Sequence, residues 1–395
     1  MELDKYDLDL LNGEHGETRQ KMMEILVSIG KIYNADRLIP VKNAQISGAS
    51  FKTIGETGLD WLSSLDAKAV IPSFLNPIGM PRSGWSDIGI DPKFAEMQTK
   101  VINQYVRLGV RPTCTCTPYY FNIIERGDHL AWSESSAVSY VNSVIGARTN
   151  RESGQSALAS ALTGKTPEYG LHIVKNRVPQ VEFRIDDSTQ TKSWTPTEYG
   201  ALGTIAGKLA GNRIPLFTGI RPTRDMLKSL GAAMAATGAV ALYHVNEITP
   251  ETRFPFFKQN ISNTEREIIS IEVSEVLNTF KNTEVSAIAI GCPHLSKEEL
   301  GHLAQLLVGK KTKLPFYVFV SADLKSTCNS EVSVISKSGA TVVSDTCMVV
   351  SPLMDKIGTV MTNSGKANTY LPSMCSVNSV MGTLEKCVQV GCGEQ

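Results

Sequence analysis

Val285-Ser286-Ala287-Ile288-Ala289-Ile290-Gly291-Cys292-Pro293-His294 is a short apolar run that ends in a glycine, a cysteine and a proline. An apolar run of this length, closed by turn residues, reads as a strand buried on both faces, the kind found in parallel sheets. Ser296 to Leu307 then carries apolar residues at helical spacing, and Phe316-Tyr317-Val318-Phe319-Val320 is the next strand. Ala340-Thr341-Val342-Val343 follows as another and delivers Asp345-Thr346-Cys347. Strands alternating with helices give an α/β fold, and open α/β sheets collect ligands outside the carboxyl ends of their strands. Cys292 and Cys347 therefore stand where such a sheet binds things.

Outward from this region the pattern continues. Leu10 to Ile32 has helical periodicity after the start signal Asn12-Gly13, and Asp91 to Leu108 reads as a helix. That second helix lies between two strand-like runs, Ala67 to Pro72 and Val110 to Cys114; the latter leads into a third cysteine, in Thr115-Cys116-Thr117-Pro118. Glu152 to Thr166 is rich in Ser, Gly and Thr and marks a shift in composition. Beyond it come a strand at Val181 to Ile185, a β-leaning stretch from Thr189 to Trp194, and helices at Leu202 to Ala210 and Met226 to Thr237. A chain of 395 residues exceeds what one core organises. Three α/β units are expected: residues 1–150 carrying Cys116, 151–280, and 281–395 carrying Cys292 and Cys347.

Lys plus Arg equals Asp plus Glu at 39 each, so no net field draws in nucleic acid or an anionic membrane, and an anion site has to be built locally. Asp4, Asp7, Asp9, Glu14 and Glu17 make the start acidic, unlike a signal peptide, and no apolar run is long enough to span a bilayer. A cytoplasmic protein is expected. In that compartment eight cysteines read as thiols and metal ligands rather than as a disulfide framework.

Spacing alone leaves Cys116, Cys292 and Cys347 open between small buried residues and ligands, because no CxxC pair marks a metal site. Ser47-Gly48-Ala49-Ser50 and Leu75-Asn76-Pro77 are ordinary turns by composition, or loops whose N–H groups and hydroxyls surround an anion. Asn142 to Ser153 concentrates Asn142, Ser143, Arg148, Asn150, Arg151, Glu152 and Ser153, and the planar arginine fork suits carboxylate and phosphate. Glu152 either holds an arginine or acts on a proton. Lys366, in Asn363-Ser364-Gly365-Lys366, is a candidate contact for a substrate anion, and Arg221 a weaker one. His244, His294 and His302 lack zinc-ligand spacing; His294, beside Cys292, reads as a neighbour that tunes a bound cluster through a hydrogen bond.

Seven ordered stretches together resemble the aconitase X family: Asn43 to Ser50, Leu75 to Met80, the Cys116 segment, Asn142 to Glu152, Gly219 to Thr223, Gly291 to Ser296, and Thr362 to Ala367. The resemblance covers nearly the whole chain. It implies an aconitase-like multi-domain body of parallel or mixed sheets flanked by helices, with an iron–sulfur site at the domain junction and no swivel domain. It implies that Cys116, Cys292 and Cys347 hold the cluster, most simply [4Fe-4S] with one open iron, and that Cys116 rather than Cys114 is the ligand because Thr117-Pro118 follows it. It further implies substrate contacts from Gly48, Ala49, Ser50, Asn76, Pro77, Asn142, Ser143, Arg148, Arg151, Glu152, Ser153 and Lys366, with Glu152 and Lys366 catalytic.

The activity implied is a hydro-lyase reaction of the archaeal mevalonate pathway of isoprene biosynthesis, loss of water from (R)-5-phosphomevalonate to give trans-anhydromevalonate 5-phosphate. The chain would be the large subunit of a heterodimer whose small swivel-domain subunit supplies a catalytic serine. Within the family the alternative is dehydration of cis-3-hydroxy-L-proline; Gln45, where some relatives have histidine, leans toward the phosphorylated substrate. From another class, a cluster-bearing RNA-binding regulator is disfavoured by the neutral charge and the lack of a basic, aromatic-interleaved stretch.

Overall fold

The computed structural model describes residues 1–185, 190–263, 265–280, 284–355 and 357–394. Its strands are β1 (Leu38–Pro40), β2 (Ala44–Ile46), β3 (Ser73–Leu75), β4 (Ala131–Trp132), β5 (Lys165–Pro167), β6 (Val181–Ile185), β7 (Pro215–Thr218), β8 (His244–Val245), β9 (Glu267–Ile271), β10 (Ala287–Ile290), β11 (Phe316–Val320), β12 (Thr341–Ser344), β13 (Thr359–Thr362) and β14 (Asn378–Met381). They form three parallel sheets, ordered β3-β2-β4, β8-β7-β6-β9 and β12-β11-β10-β13-β14, and one antiparallel pair, β1-β5. Among the described residues no helix is long and apolar enough to cross a membrane.

Each sheet has its own core. Leu26, Ile46, Leu75, Val101 and Leu158 are buried together in the first, and Phe183, Leu202, Phe217 and Leu230 in the second. Ile288, Leu303, Phe316, Val318 and Cys387 fill the third. Each large aliphatic or aromatic side chain removed from water contributes about 1.5–3 kcal/mol, which offsets the entropy of fixing so much backbone. Cys328, Cys375, Cys387 and Cys392 are all buried, in keeping with a structural reading. So is Cys114, whose backbone sits at φ +46°.

Several elements differ from the sequence expectation. Ala67 to Pro72 is no strand: Ala69 N–H donates to Leu108 O and Val70 N–H to Ala161 O, at the ends of helices, and hydrogen bonding to β2 begins only with the Pro72 carbonyl, which accepts from Ala44 N–H. Val110 to Cys114 is reduced to a single bridge between Arg111 and Phe74. Gly154–Thr163 is a helix, opened by a reciprocal Ser153–Ser156 cap, and its buried small residues pack into the first core. Thr189 lies outside the described residues, and Gln190–Ser193 is one 3-10 turn.

Loops at the carboxyl ends of the first and third sheets meet at a shared junction. Ile78 N–H donates to Asp345 O at 2.9 Å and Cys347 N–H to Ile78 O at 3.0 Å, so the loop after β3 and the loop after β12 clasp each other. Ser50 Oγ reaches Val350 O at 2.8 Å across the same boundary. On the other side a Cβ on Gly365 would lie 2.5 Å from Gly200 O, so only glycine lets these two backbones touch.

Candidate functional site

The loops at this junction bring the cysteines together. Cys292 follows β10 through Gly291, whose φ of +104° and whose missing Cβ, which would fall 2.2 Å from Phe319 O, make glycine necessary there. Cys347 follows β12 through Asp345, another positive-φ residue, whose carboxylate is paired with Arg82 at 3.3 Å. Cys116 comes from the first body and accepts a hydrogen bond from His294 N–H at 3.2 Å.

At the centre lies a buried ion pair. Lys366 Nζ donates to Glu134 Oε1 and, at 3.2 Å, to Ser136 Oγ. The other carboxylate oxygen of Glu134 accepts from Ser136 Oγ at 2.6 Å and Ala137 N–H at 2.7 Å, capping the helix Ser135–Tyr140. Burial alone would lower the Lys366 pKa, but the Glu134 carboxylate and the neighbouring thiols leave it raised. Burial would raise Glu134, yet Lys366 pulls it below the usual carboxylate value. Both groups are therefore charged. Lys366 and Glu134 act on all three thiols, which locates the pair among them.

Burial raises the pKa of each of these thiols, that of Cys292 to about 12, and Lys366 opposes the rise. Among the described residues no three His, Cys, Asp or Glu side chains stand close enough to share a single metal ion. The donor set is three thiols from separate loops. That chemistry fits iron–sulfur ligation, whose several irons spread the ligands more widely than one ion would.

His294 and Gln45 tie the loops to one another. The buried His294 ring contacts Thr115 Oγ1 at 3.1 Å and Thr346 O at 2.8 Å, and burial lowers its pKa to about 4. Gln45, wholly buried in β2, donates to Asn76 Oδ1 and Thr115 O, both at 3.3 Å, and accepts from Glu134 N–H at 3.4 Å.

The sequence candidates divide between this junction and elsewhere. Asn76 and Pro77 follow β3, beside Gln45. Gly48, Ala49 and Ser50 follow β2; Gly48 O accepts from Tyr105 OH and Ala49 O from Gln98 Nε2. Ser153 O accepts from Ser133 Oγ at 3.2 Å, and a cavity of about 310 Å³ opens between Ser47, Gly48, Tyr105 and Gly154. Arg151 is exposed and reaches Ala235 O at 3.5 Å.

Asn142, Ser143 and Arg148 make their contacts away from the cysteines. Both ends of the Asn142 amide are engaged, by Thr149, Ala241 O and Arg177. Ser143 Oγ accepts from Tyr243 N–H, and Arg148 extends to His172 O at 3.5 Å. These contacts order the loop from 146 to 153. Glu152 is buried, accepts from Ser156 Oγ at 2.6 Å, and has no arginine partner among the described residues; burial raises its pKa.

Sequence reasoning missed Glu134 and Lys228. The signal for Glu134 was a carboxylate ahead of the small residues Ser135-Ser136-Ala137, a helix N-cap pattern. Lys228 carried none, being one lysine on an amphipathic helix. It lies buried against Glu299 and 3.6 Å from Asp225, and donates to His294 O at 3.4 Å.

Known proteins resemble the chain over nearly its whole length. Residues 1–175, 179–281 and 285–393 match the first, second and third domains of Aconitase X. The chain is 49% identical to a phosphomevalonate dehydratase large subunit of Methanosarcina mazei, over 100% of this chain and 98% of that protein. It is 43% identical to the protein of the same name from Methanocaldococcus jannaschii, over 98% and 99%. A cis-3-hydroxy-L-proline dehydratase of Hypocrea jecorina is 32% identical over 99% of this chain but only 69% of its own length. Among solved structures, the holo-form of Thermococcus kodakaraensis aconitase X superposes with a TM-score of 0.90 at 40% identity, covering 99% of this chain and 100% of that one.

Proposed function

The chain belongs to the aconitase X family, and we propose that it dehydrates (R)-5-phosphomevalonate to trans-anhydromevalonate 5-phosphate as the large subunit of a heterodimer. The observation that carries this reading is end-to-end similarity, at 42–49% identity, to four archaeal proteins bearing the phosphomevalonate dehydratase large-subunit name. The hydroxyproline dehydratases stand lower, at 30–32%, and extend well beyond the matched region.

In this reading Cys116, Cys292 and Cys347 hold an iron–sulfur cluster, a [4Fe-4S] form with one iron free of protein ligands. Bound there, the cluster supplies Lewis acidity toward a leaving hydroxyl. Lys366 supplies positive charge for the negative charge that develops next to the substrate carboxylate. Glu134 and Ser136 hold its ammonium in one place, so that little reorganisation accompanies the reaction. Gly48, Ala49, Ser50, Asn76 and Pro77 form the rim on the first-sheet side, where backbone N–H groups and the Asn76 amide orient the substrate. Arg151 and Ser153 complete an anion-binding edge, and Arg148 with Asn142 and Ser143 braces the loop that carries them. Glu152, with one carboxylate oxygen unpartnered, is the internal candidate for moving a proton. The principal base is a serine of the small swivel-domain subunit.

The experiment is anaerobic co-purification with that subunit, then assay of both substrates. Water loss from phosphomevalonate and none from cis-3-hydroxy-L-proline is the expected result. The reverse preference overturns the substrate assignment, and full activity of the isolated, iron-loaded chain overturns the two-subunit reading.

A further inference from the structure

Every polar atom of His294 is committed to a different place. Its N–H donates to Cys116 Sγ, its carbonyl accepts from Lys228 Nζ, and its ring nitrogens meet Thr115 Oγ1 and Thr346 O. A carbonyl oxygen only accepts, so Nε2 carries the ring proton and Nδ1 is the acceptor. The Thr115 hydroxyl must then donate to Nδ1. That leaves the Thr115 oxygen to accept from the Thr117 N–H at 3.2 Å and the Thr117 hydroxyl at 3.0 Å. One tautomer satisfies the whole chain of bonds. The ring is 1% exposed, so water does not compete for them.

The partners are placed with a pattern. Thr115 immediately precedes Cys116, Thr346 immediately precedes Cys347, and His294 lies two residues past Cys292. The clasp between Ile78 and Cys347 joins the third body to the first but does not touch the Cys292 loop. Lys228, from the helix Arg224–Thr237, brings the middle body onto the same residue.

We propose that His294 is the positioning residue that sets the three cysteine-bearing loops at their mutual spacing before any cofactor arrives, and that it thereby governs how firmly the cofactor is held. This rests on reading the three cysteines as cluster ligands. The N–H···S bond to Cys116 adds a second effect, because hydrogen bonds to ligand sulfurs tune cluster potentials.

The test uses the full-length chain as parent, His294→Ala, His294→Gln and His294→Asn. Gln sets an amide donor near the place of Nε2, and Asn sets an acceptor near Nδ1. Hydrogen exchange of the unloaded protein is followed over residues 114–118 and 344–348. The chain reconstituted anaerobically with iron and sulfide is then followed by its visible absorption in air. His294→Ala is expected to lose exchange protection in both segments and to bleach on the order of 10- to 100-fold faster than the parent. Gln should restore protection over 344–348 and Asn over 114–118. Parent-like exchange in both segments of the alanine variant overturns the proposal, as does a loss spread over the whole chain that neither Gln nor Asn corrects. Cys292→Ser separates the two readings: parent-level iron in that variant defeats the ligand assignment, while the exchange pattern still decides the role of His294.

Discussion

The Lys366–Glu134 pair gives the most direct test of how the junction is held. Their side chains are 10% and 7% exposed, so neither charge is solvated if the other is removed. Removing one partner of a buried pair costs about 3–5 kcal/mol, whereas removing both costs far less. Glu134→Gln keeps the shape and the helix cap but leaves the ammonium with Ser136 alone, so it belongs near the upper end. Lys366→Met leaves a carboxylate that still accepts from Ser136 and Ala137, so it belongs near the lower end. At about 2.1 cal/mol/K per residue, a chain of 395 residues unfolding as one unit has an entropy of about 0.83 kcal/mol/K. A loss of about 3 kcal/mol then lowers Tm by about 4 °C, and about 5 kcal/mol by about 6 °C. Scanning calorimetry of both single variants and the double variant completes the cycle. The double variant should fall no further than the milder single one. A fall equal to the sum of the singles would refute the coupling and, with it, the argument that Glu134 fixes the Lys366 ammonium.

Serine at Cys116, Cys292 or Cys347 should abolish iron retention, measured by metal analysis, while Cys387→Ala, in the third core, should keep it. Glu152 has a raised pKa from burial, so its stability contribution is fully present below its unfolded value and is lost as pH rises through the folded one. The Tm of Glu152→Gln should match the parent in acid and exceed it increasingly toward pH 8. Arg151→Lys keeps the charge but loses the fork, and should lower kcat/KM for phosphomevalonate more than for mevalonate. Arg148→Lys should instead lower Tm and affect both substrates alike, because its contact is the His172 carbonyl.

What was legible in the sequence follows from how local each feature is. Ile288 to Cys292 announced itself because a buried parallel strand and its glycine-led exit are contiguous. The Cys116 loop was legible only through its motif, since the run before it makes one bridge instead of a strand. Glu152 to Thr166 reads as a shift in composition because Ser, Gly and Thr favour turns, yet Ser153 caps and the small residues line a buried helix, Gly154–Thr163. Glu134 meets Lys366 across 232 positions, a pairing that periodicity cannot report. Arg148 and Arg151 look equivalent in sequence. Pairing with the strand β4 and its approach separates them, His129 opposite Arg148 and Trp132 opposite Arg151, and so sends their side chains to different bodies.

The clasp between the loop after β3 and the loop after β12 bears on how the molecule is made. A nascent chain emerges amino end first, and its first body can acquire a core while the ribosome is still translating the second. Cys116 is then present without the His294 N–H that donates to it, the loop after β3 stays unclasped until Asp345 and Cys347 appear, and Lys366 comes later still. The junction therefore closes only once the loops of the third body have been made, however early the first body folds. A chain ended just ahead of β13 would keep both sides of the clasp but lack Lys366, leaving Glu134 without its partner.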